Sequence, residues 1–228
     1  MHALAFFLLL IAPATVLAGS KMDPELVSLI EKIDARNAAV QTMQAEFIQR
    51  REVSLLKEPI EMKGIFYMKK DTGIKFDFDP EQDMVLVITP EEMVSLSPKA
   101  KKATRIKIKK RRSSLSQYVL MENLSTILDY FQIIRTLNAE GEETRTLILK
   151  PTKRKVKKKV SEIRLWFDES YLINKIKVVS ADGDIYFLEL NQIEVNKELD
   201  GDHFTTAIPE GFELGDRMEF IFGPNTGL

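Results

Sequence analysis

From Met43 onward the chain alternates apolar and polar residues with a period of two, and it renews that alternation after nearly every turn signal. Met43, Ala45 and Phe47 share one side against Gln44 and Glu46. Met62, Gly64, Phe66 and Met68 stand against Lys63, Tyr67 and Lys69, and Ile74, Phe76 and Phe78 against Lys75, Asp77 and Asp79. Met84, Leu86 and Ile88 follow, then Val94 and Leu96, then Ile106 and Ile108 between Arg105, Lys107 and Lys109. Successive side chains of a strand point to opposite faces, so each run has one apolar and one wet face. Runs joined by Asp-Thr-Gly, Asp-Pro and Ser-Pro turns make an antiparallel meander, the arrangement that tolerates water on one side.

Two stretches depart from this period. Asp23-Pro24 opens a helix, since Asp23 can cap and Pro24 suits the first helical position; Leu26, Ile30, Ile33 and Val40 then recur at helical spacing. Leu120, Leu124, Ile127, Leu128 and Phe131 fall at i, i+4, i+7, i+8 and i+11, which predicts a second helical patch. Strands resume over 147–149, 163–167 and 173–179. The Asp182-Gly183 turn leads into 185–190, then 204–207, with a last candidate at 218–222. About ten antiparallel strands must curve, because sheets twist, and the two one-sided helices supply too little apolar surface to fill the concave side. The expected fold is therefore α+β: an open antiparallel β-half-barrel of about ten strands, its apolar concave face covered by a helical lid. The inward stripe is rich in Phe and Met, which shape large, adaptable apolar surfaces. The pattern alone leaves open whether that stripe closes as a packed core or lines a cavity.

Residues 3–16 are apolar apart from Pro13 and Thr15, short of the roughly 20 residues a membrane span needs. Val16-Leu17-Ala18 precedes Gly19 as a cleavage site would, so residues 1–18 read as a signal peptide and 19–228 as a single domain. Leu17-Ala18-Gly19-Ser20 has the form of a lipobox with serine where the lipid-bearing cysteine would stand. The 228 residues include no cysteine, which excludes disulfides, thiolate metal sites and cysteine nucleophiles.

The net charge of −1 hides a segregation. Residues 99–112 carry nine Lys/Arg and residues 150–159 seven, with no acid in either run; setting those sixteen aside leaves 17 basic against 34 acidic residues. Arg105, Lys107 and Lys109 share one strand face, and Lys153, Arg154, Lys155, Lys157, Lys158 and Lys159 gather on what reads as a hairpin tip. Such runs either protect a sheet edge from pairing or dock on anionic headgroups or an acidic partner.

Other classes fit less well. Nucleic-acid binding calls for aromatics interleaved with the basic residues, and the exposed faces lack them. The histidines are His2 and His203 only, and His203 beside Asp202 and Phe204 reads as a surface residue. Asp200 and Asp202 around Gly201, and Glu140, Glu142 and Glu143 around Gly141, read as turns rather than metal loops. No catalytic residue, metal site or cofactor is expected.

The order of these segments resembles the LolA-like lipoprotein carrier family. Met43-Gln-Ala-Glu-Phe47-Ile-Gln49 resembles its Phe-x-Gln opening strand, and Gly64-Ile-Phe-Tyr-Met-Lys-Lys70 its second strand. Phe76-Asp-Phe78 ahead of Pro80, Leu147-Ile-Leu-Lys-Pro151, Phe204, and Ile208-Pro209-Glu-Gly211-Phe212 resemble later segments, so the likeness covers about residues 23–215. It implies a periplasmic, non-enzymatic carrier without a cofactor, and a monomer is expected. Such a carrier takes lipidated proteins or related lipids from an inner-membrane release complex to an outer-membrane acceptor. Phe47, Met62, Phe66, Met68, Ile74, Phe76, Phe78, Leu86, Ile106 and Ile108 would then line the lipid site, and Leu120, Leu124, Ile127, Leu128 and Phe131 would form the lid. The family's lid-latching arginine aligns with Lys70, a point charge in place of a planar fork, and Asp71 follows where proline is usual. Relatives of the same fold include an anchored acceptor, a sensor domain and carriers of other lipids. The alternative is therefore a lipid-binding acceptor, sensor or adaptor that acts through its basic surface.

Overall fold

A computed structural model describes residues 23–54, 56, 58–108, 123–137, 141, 143–199 and 202–215. The alternating runs become β1 (Thr42–Glu52), β2 (Ile60–Lys69), β3 (Gly73–Phe78), β4 (Val85–Ile88), β5 (Glu92–Ser97) and β6 (Lys102–Lys107). After the second helical stretch come β7 (Phe131–Leu137), β8 (Glu143–Pro151), β9 (Val160–Phe167), β10 (Ile173–Ser180), β11 (Ile185–Val195) and β12 (Glu213–Gly215). All twelve lie in one sheet, in the order β12-β6-β5-β4-β3-β2-β1-β11-β10-β9-β8-β7. Neighbours are antiparallel except β12, which runs parallel to β6. With β7 and β12 at opposite ends of that order the sheet is open, as a half-barrel requires. Its centre is the pairing of β1 with β11, Phe47 opposite Leu190, between residues more than a hundred positions apart.

The helix α1 (Pro24–Ala38) is capped by Asp23, whose carboxylate accepts from the Glu25 N–H at 3.1 Å, with Pro24 in its first turn. It buries Leu26, Ile30 and Ile33 against α2 (Leu124–Ile127) and the inner residues of β7–β10, including Phe131, Leu147, Leu149, Ile163 and Leu165. A second apolar cluster fills the concave face of β1–β4 and β11. The fold is thus an open sheet with helices covering one half of its inner face.

Three expectations are corrected. The described residues form twelve strands where about ten were expected. Phe131 is not part of a lid helix: the helix stops at Ile127, and Phe131 opens β7, paired with Pro151 of β8. The apolar residues of 124–134 fit both periods, and pairing with β8 decides for the strand from Phe131. Residues 204–207 form no strand. Instead residues 202–212 run across the outer face as a strap. His203 stacks on Tyr67 with ring centres 3.9 Å apart, and the Arg105 guanidinium donates to the Thr206 carbonyl at 2.8 Å. The strap then joins β6 through β12. On the outer face it crosses, Val87, Val94 and Ala103 are buried. Leu120, Lys109, the 1–18 segment and the 218–222 candidate strand lie outside the described residues.

Candidate apolar binding face

Alternation in β1 turns Met43, Ala45, Phe47 and Gln49 inward, and all four are buried. Register then aligns Phe47 with Gly64 of β2 and Gly64 with Phe78 of β3. Since glycine has no side chain, the rings of Phe47 and Phe78 meet edge-on across it, 5.1 Å between centres. A β-carbon at Gly64 would lie 2.0 Å from the Asp77 carbonyl oxygen. Phe76 meets Phe47 at 5.2 Å and 89°, and Phe66 at 5.0 Å, both within the range of favourable aromatic pairs.

Of the residues expected to line the site, Phe47, Phe66, Ile74, Phe76, Phe78 and Leu86 are buried together in this cluster, Phe47 to 1% exposure. Met62, Met68 and Ile108 pack half-buried at its border, beside Met84 and Met93. Ile106 turns to the same face, opposite Met93, but stays half-buried outside the cluster. Val40, Met43, Ile88, Leu172, Leu188 and Leu190 belong to it as well. The alternation of Ile88 in β4 and of Leu188 and Leu190 in β11 was legible; their meeting with the β1 side chains was not.

Beside α1 the described side chains leave little space. Where Asn37 of α1 overhangs Met43, Phe66, Met68, Ile74, Ile173 and Leu190, a cavity of about 20 Å³ remains. That is room for a water molecule and not for an acyl chain. A larger cleft of about 480 Å³ lies along α1; Glu25, Lys32, Arg135, Arg145, Asp168 and Glu169 line it together with Leu29, Phe167 and Tyr171, so it is mixed in character.

At the far end of the β1 stripe the inner face turns polar. Gln49 is 2% exposed, and Arg51, two residues on, sits opposite Tyr186 with its guanidinium 5.3 Å from the ring centre. Burial pushes the Tyr186 hydroxyl above its usual pKa, against the opposing pull of Arg51. Neither Arg51 nor Tyr186 was singled out from sequence; continuing the inward parity of Phe47 and Gln49 by one step would have found Arg51.

Leu124 and Ile127 of α2 are buried against α1, with Leu128 packed beside them, whereas Phe131 joins the same cluster from β7. Lys70 Nζ donates to the Ala38 carbonyl at 3.0 Å, so it ties the end of α1 rather than α2. A cation there also suits the negative end of the helix dipole. Lys153 precedes α3 (Arg154–Lys157), a single helical turn between β8 and β9, so the expected hairpin tip holds a helical turn. Lys153, Arg154, Lys155, Lys157, Lys158 and Lys159 are all exposed and have no ion pair among the described residues. Arg105 and Lys107 share the outer face, but Arg105 is engaged by Glu92 at 3.4 Å as well as by Thr206. Among the described residues no cluster of three or more His, Asp or Glu could hold a metal, and no helix is long and apolar enough to cross a membrane.

No curated protein sequence matches the chain. Among solved structures, an uncharacterised conserved protein from Thermus thermophilus superposes with a TM-score of 0.50 at 8% identity, covering 85% of this chain and 99% of that one. A LolA superfamily protein from Nitrosomonas europaea gives 0.42 at 13% identity, over 76% and 94%. The lipoprotein LppX of Mycobacterium tuberculosis gives 0.41 at 13%, over 79% and 100%. The family described as outer membrane lipoprotein carrier protein LolA matches residues 38–207. That span runs from the end of α1 to the strap and contains the whole phenylalanine-lined face, and on it this chain belongs to the LolA family.

Proposed function

We propose that this protein is a periplasmic carrier that receives the acyl chains of lipoproteins, or of related lipids, on the concave face and transfers them from the inner to the outer membrane. The observation that carries the reading is the inner face itself: a continuous phenylalanine cluster bordered by Met62, Met68, Met84 and Met93 at the open half of the sheet. Each buried methylene contributes about 0.8 kcal/mol, so ten offer about 8 kcal/mol before ordering costs. Apolar burial therefore suffices, and no catalytic group is needed. Beside Asn37 of α1 the face leaves only about 20 Å³, so a chain entering there has to displace α1 or the methionine border. Methionine, unbranched and polarizable, lowers the cost of such repacking. Donor and acceptor would be an inner-membrane release complex and an outer-membrane receptor, as the likeness to the LolA carriers implies.

Native mass spectrometry of the protein exported from a Gram-negative host tests this. An acylated ligand that co-purifies, and is lost in Phe47→Glu, is the expected result. No ligand, with no binding of a fluorescent fatty-acyl probe, would overturn it. A second reading is favoured by the exposed cations of α3 and its flanks, which have no ion pair among the described residues: the same fold serving as an acceptor, sensor or adaptor on an anionic surface, with lipid transfer absent.

A further inference from the structure

The convex side of the sheet carries an aromatic pair that the concave face does not use. In β9 the inward residues Ile163, Leu165 and Phe167 belong to the inner cluster, so Arg164 and Trp166 turn outward. In β10 Ile176 and Val178 point inward and Lys175 and Lys177 outward, and in β11 Leu188 points inward and Phe187 outward. The rings of Trp166 and Phe187 meet edge-on across β10, 6.2 Å between centres at 78°, and both residues stay partly exposed. Register sets Lys175 opposite Trp166, and Lys177 opposite both Phe187 and Arg164. The sequence keeps these rings and lysines on three separate strands; the pairing of β9, β10 and β11 brings them together. Lys177 has no ion pair among the described residues. Lys175 meets Glu189 at 2.7 Å, while Arg164 and Lys150 share Glu162 at 2.9 and 2.6 Å. Around the pair, four cations thus stand against two acids. Beyond the start of β9 the exposed run 153–159 adds five lysines and one arginine, with Asp182 and Asp184 in the adjoining β10–β11 turn.

We propose that this convex face, centred on Trp166 and Phe187, docks on the headgroup layer of an anionic bilayer. The inference does not depend on what the concave face carries. Excess cations are drawn to anionic headgroups, and tryptophan settles at a membrane–water boundary, where its ring is apolar and its N–H wet. Composition favours a bilayer over an acidic protein. Lys150, Lys175, Lys177 and the five lysines of 153–159 make eight of the ten cations. Lysine is depleted in protein interfaces, and its flexible point charge suits a mobile field of phosphates. The ion pairs of Lys175 and Arg164 are the weak surface kind, so their cations are free to exchange carboxylate for phosphate. Trp166 and Phe167 point to opposite sides of β9, so docking leaves the concave face unobstructed.

Trp166 is the single tryptophan of the chain, so its emission reports on this face alone. The test adds vesicles of phosphatidylglycerol and phosphatidylcholine, or of phosphatidylcholine only, to the full chain. With the anionic vesicles the emission should move to shorter wavelength and be quenched by lipids brominated near the headgroup end of their chains. Raising the salt concentration should reverse both effects, and neutral vesicles should produce neither. Lys177→Gln, which breaks no described ion pair, should weaken the association about fivefold. Monomeric palmitate, which offers no surface, should leave the emission unchanged. Vesicle association with unchanged Trp166 emission would place the contact elsewhere and overturn the proposal. So would an equal shift on neutral vesicles, or the same shift on monomeric palmitate. A shift caused by polyglutamate and not by vesicles would replace the bilayer with an acidic protein partner.

Discussion

Asp34 of α1 accepts from the backbone N–H of Leu124 at 2.5 Å and of Ser125 at 3.0 Å, and so caps α2 from another helix. Asn123, the residue in the local capping position, makes no side-chain capping bond. A four-residue helix cannot sustain itself, so this remote carboxylate fixes where α2 begins and holds it on α1. Asp34→Ala should cost about 1–2 kcal/mol in urea unfolding. Hydrogen exchange at Leu124 and Ser125 should accelerate more than at Ile163 in β9. Uniform acceleration would mean that the bond serves the whole fold and not α2.

Gly64 should resist any substitution. A methyl group would meet the Asp77 carbonyl oxygen at 2.0 Å and the Phe78 α-carbon at 2.7 Å, both backbone atoms that cannot rotate away. Gly64→Ala should therefore destabilise by at least the ~1–3 kcal/mol typical of overpacking, by parting β2 from β3. Gly183→Ala is the control for space: a β-carbon there meets nothing within 4 Å, although its φ of +91° carries its own backbone strain. Urea midpoints of the two variants should differ in favour of Gly183→Ala.

Phe47 touches the rings of both Phe76 and Phe78 and is almost wholly enclosed. Phe47→Ala should cost about 3–5 kcal/mol by calorimetry or urea unfolding. If the face takes acyl chains, the space left should also raise probe affinity relative to Phe47→Leu. A loss of stability with no change in probe binding would identify the ring as core alone.

Glu162 of β9 keeps only 17% of its side chain exposed, and burial raises its pKa. Hydrogen bonds from Lys150 at 2.6 Å and Arg164 at 2.9 Å outweigh that, and the net shift is downward. A carboxylate with a depressed folded pKa adds stability that is present above its unfolded value, roughly 4.3, and is lost as pH falls through the folded value. Glu162→Gln should thus be less stable than the unmodified protein at pH 7, with the gap closing below pH ~4. A gap independent of pH would point to packing instead.

The cations at 153–159 carry no ion pair among the described residues and face solvent around α3. Charge reversal of Lys153, Arg154 and Lys155 should weaken association with anionic vesicles by about 1 kcal/mol per residue and flatten its salt dependence, leaving stability unchanged. Equal binding to neutral vesicles would assign the turn to edge protection.

What the sequence determined by itself was local and periodic. Alternation assigned β1–β6 and the inward side of Phe47, Phe66, Phe76, Phe78 and Leu86, because strand parity needs only neighbours in the chain. Asp23-Pro24 marked the start of α1 for the same reason. The tertiary structure decided whatever required a partner from elsewhere. Phe131 is strand because β8 offers backbone groups to pair with, and α2 begins at Leu124 because Asp34 reaches it. Lys70 ties α1 because the Ala38 carbonyl lies beside it. Arg105 turns to the strap, and His203 is seated on Tyr67, because residues 202–212 return across the outer face. Whether the phenylalanine stripe was full or empty also had to await the fold, since the volume between strands depends on pairings such as β1 with β11, between residues far apart in the chain.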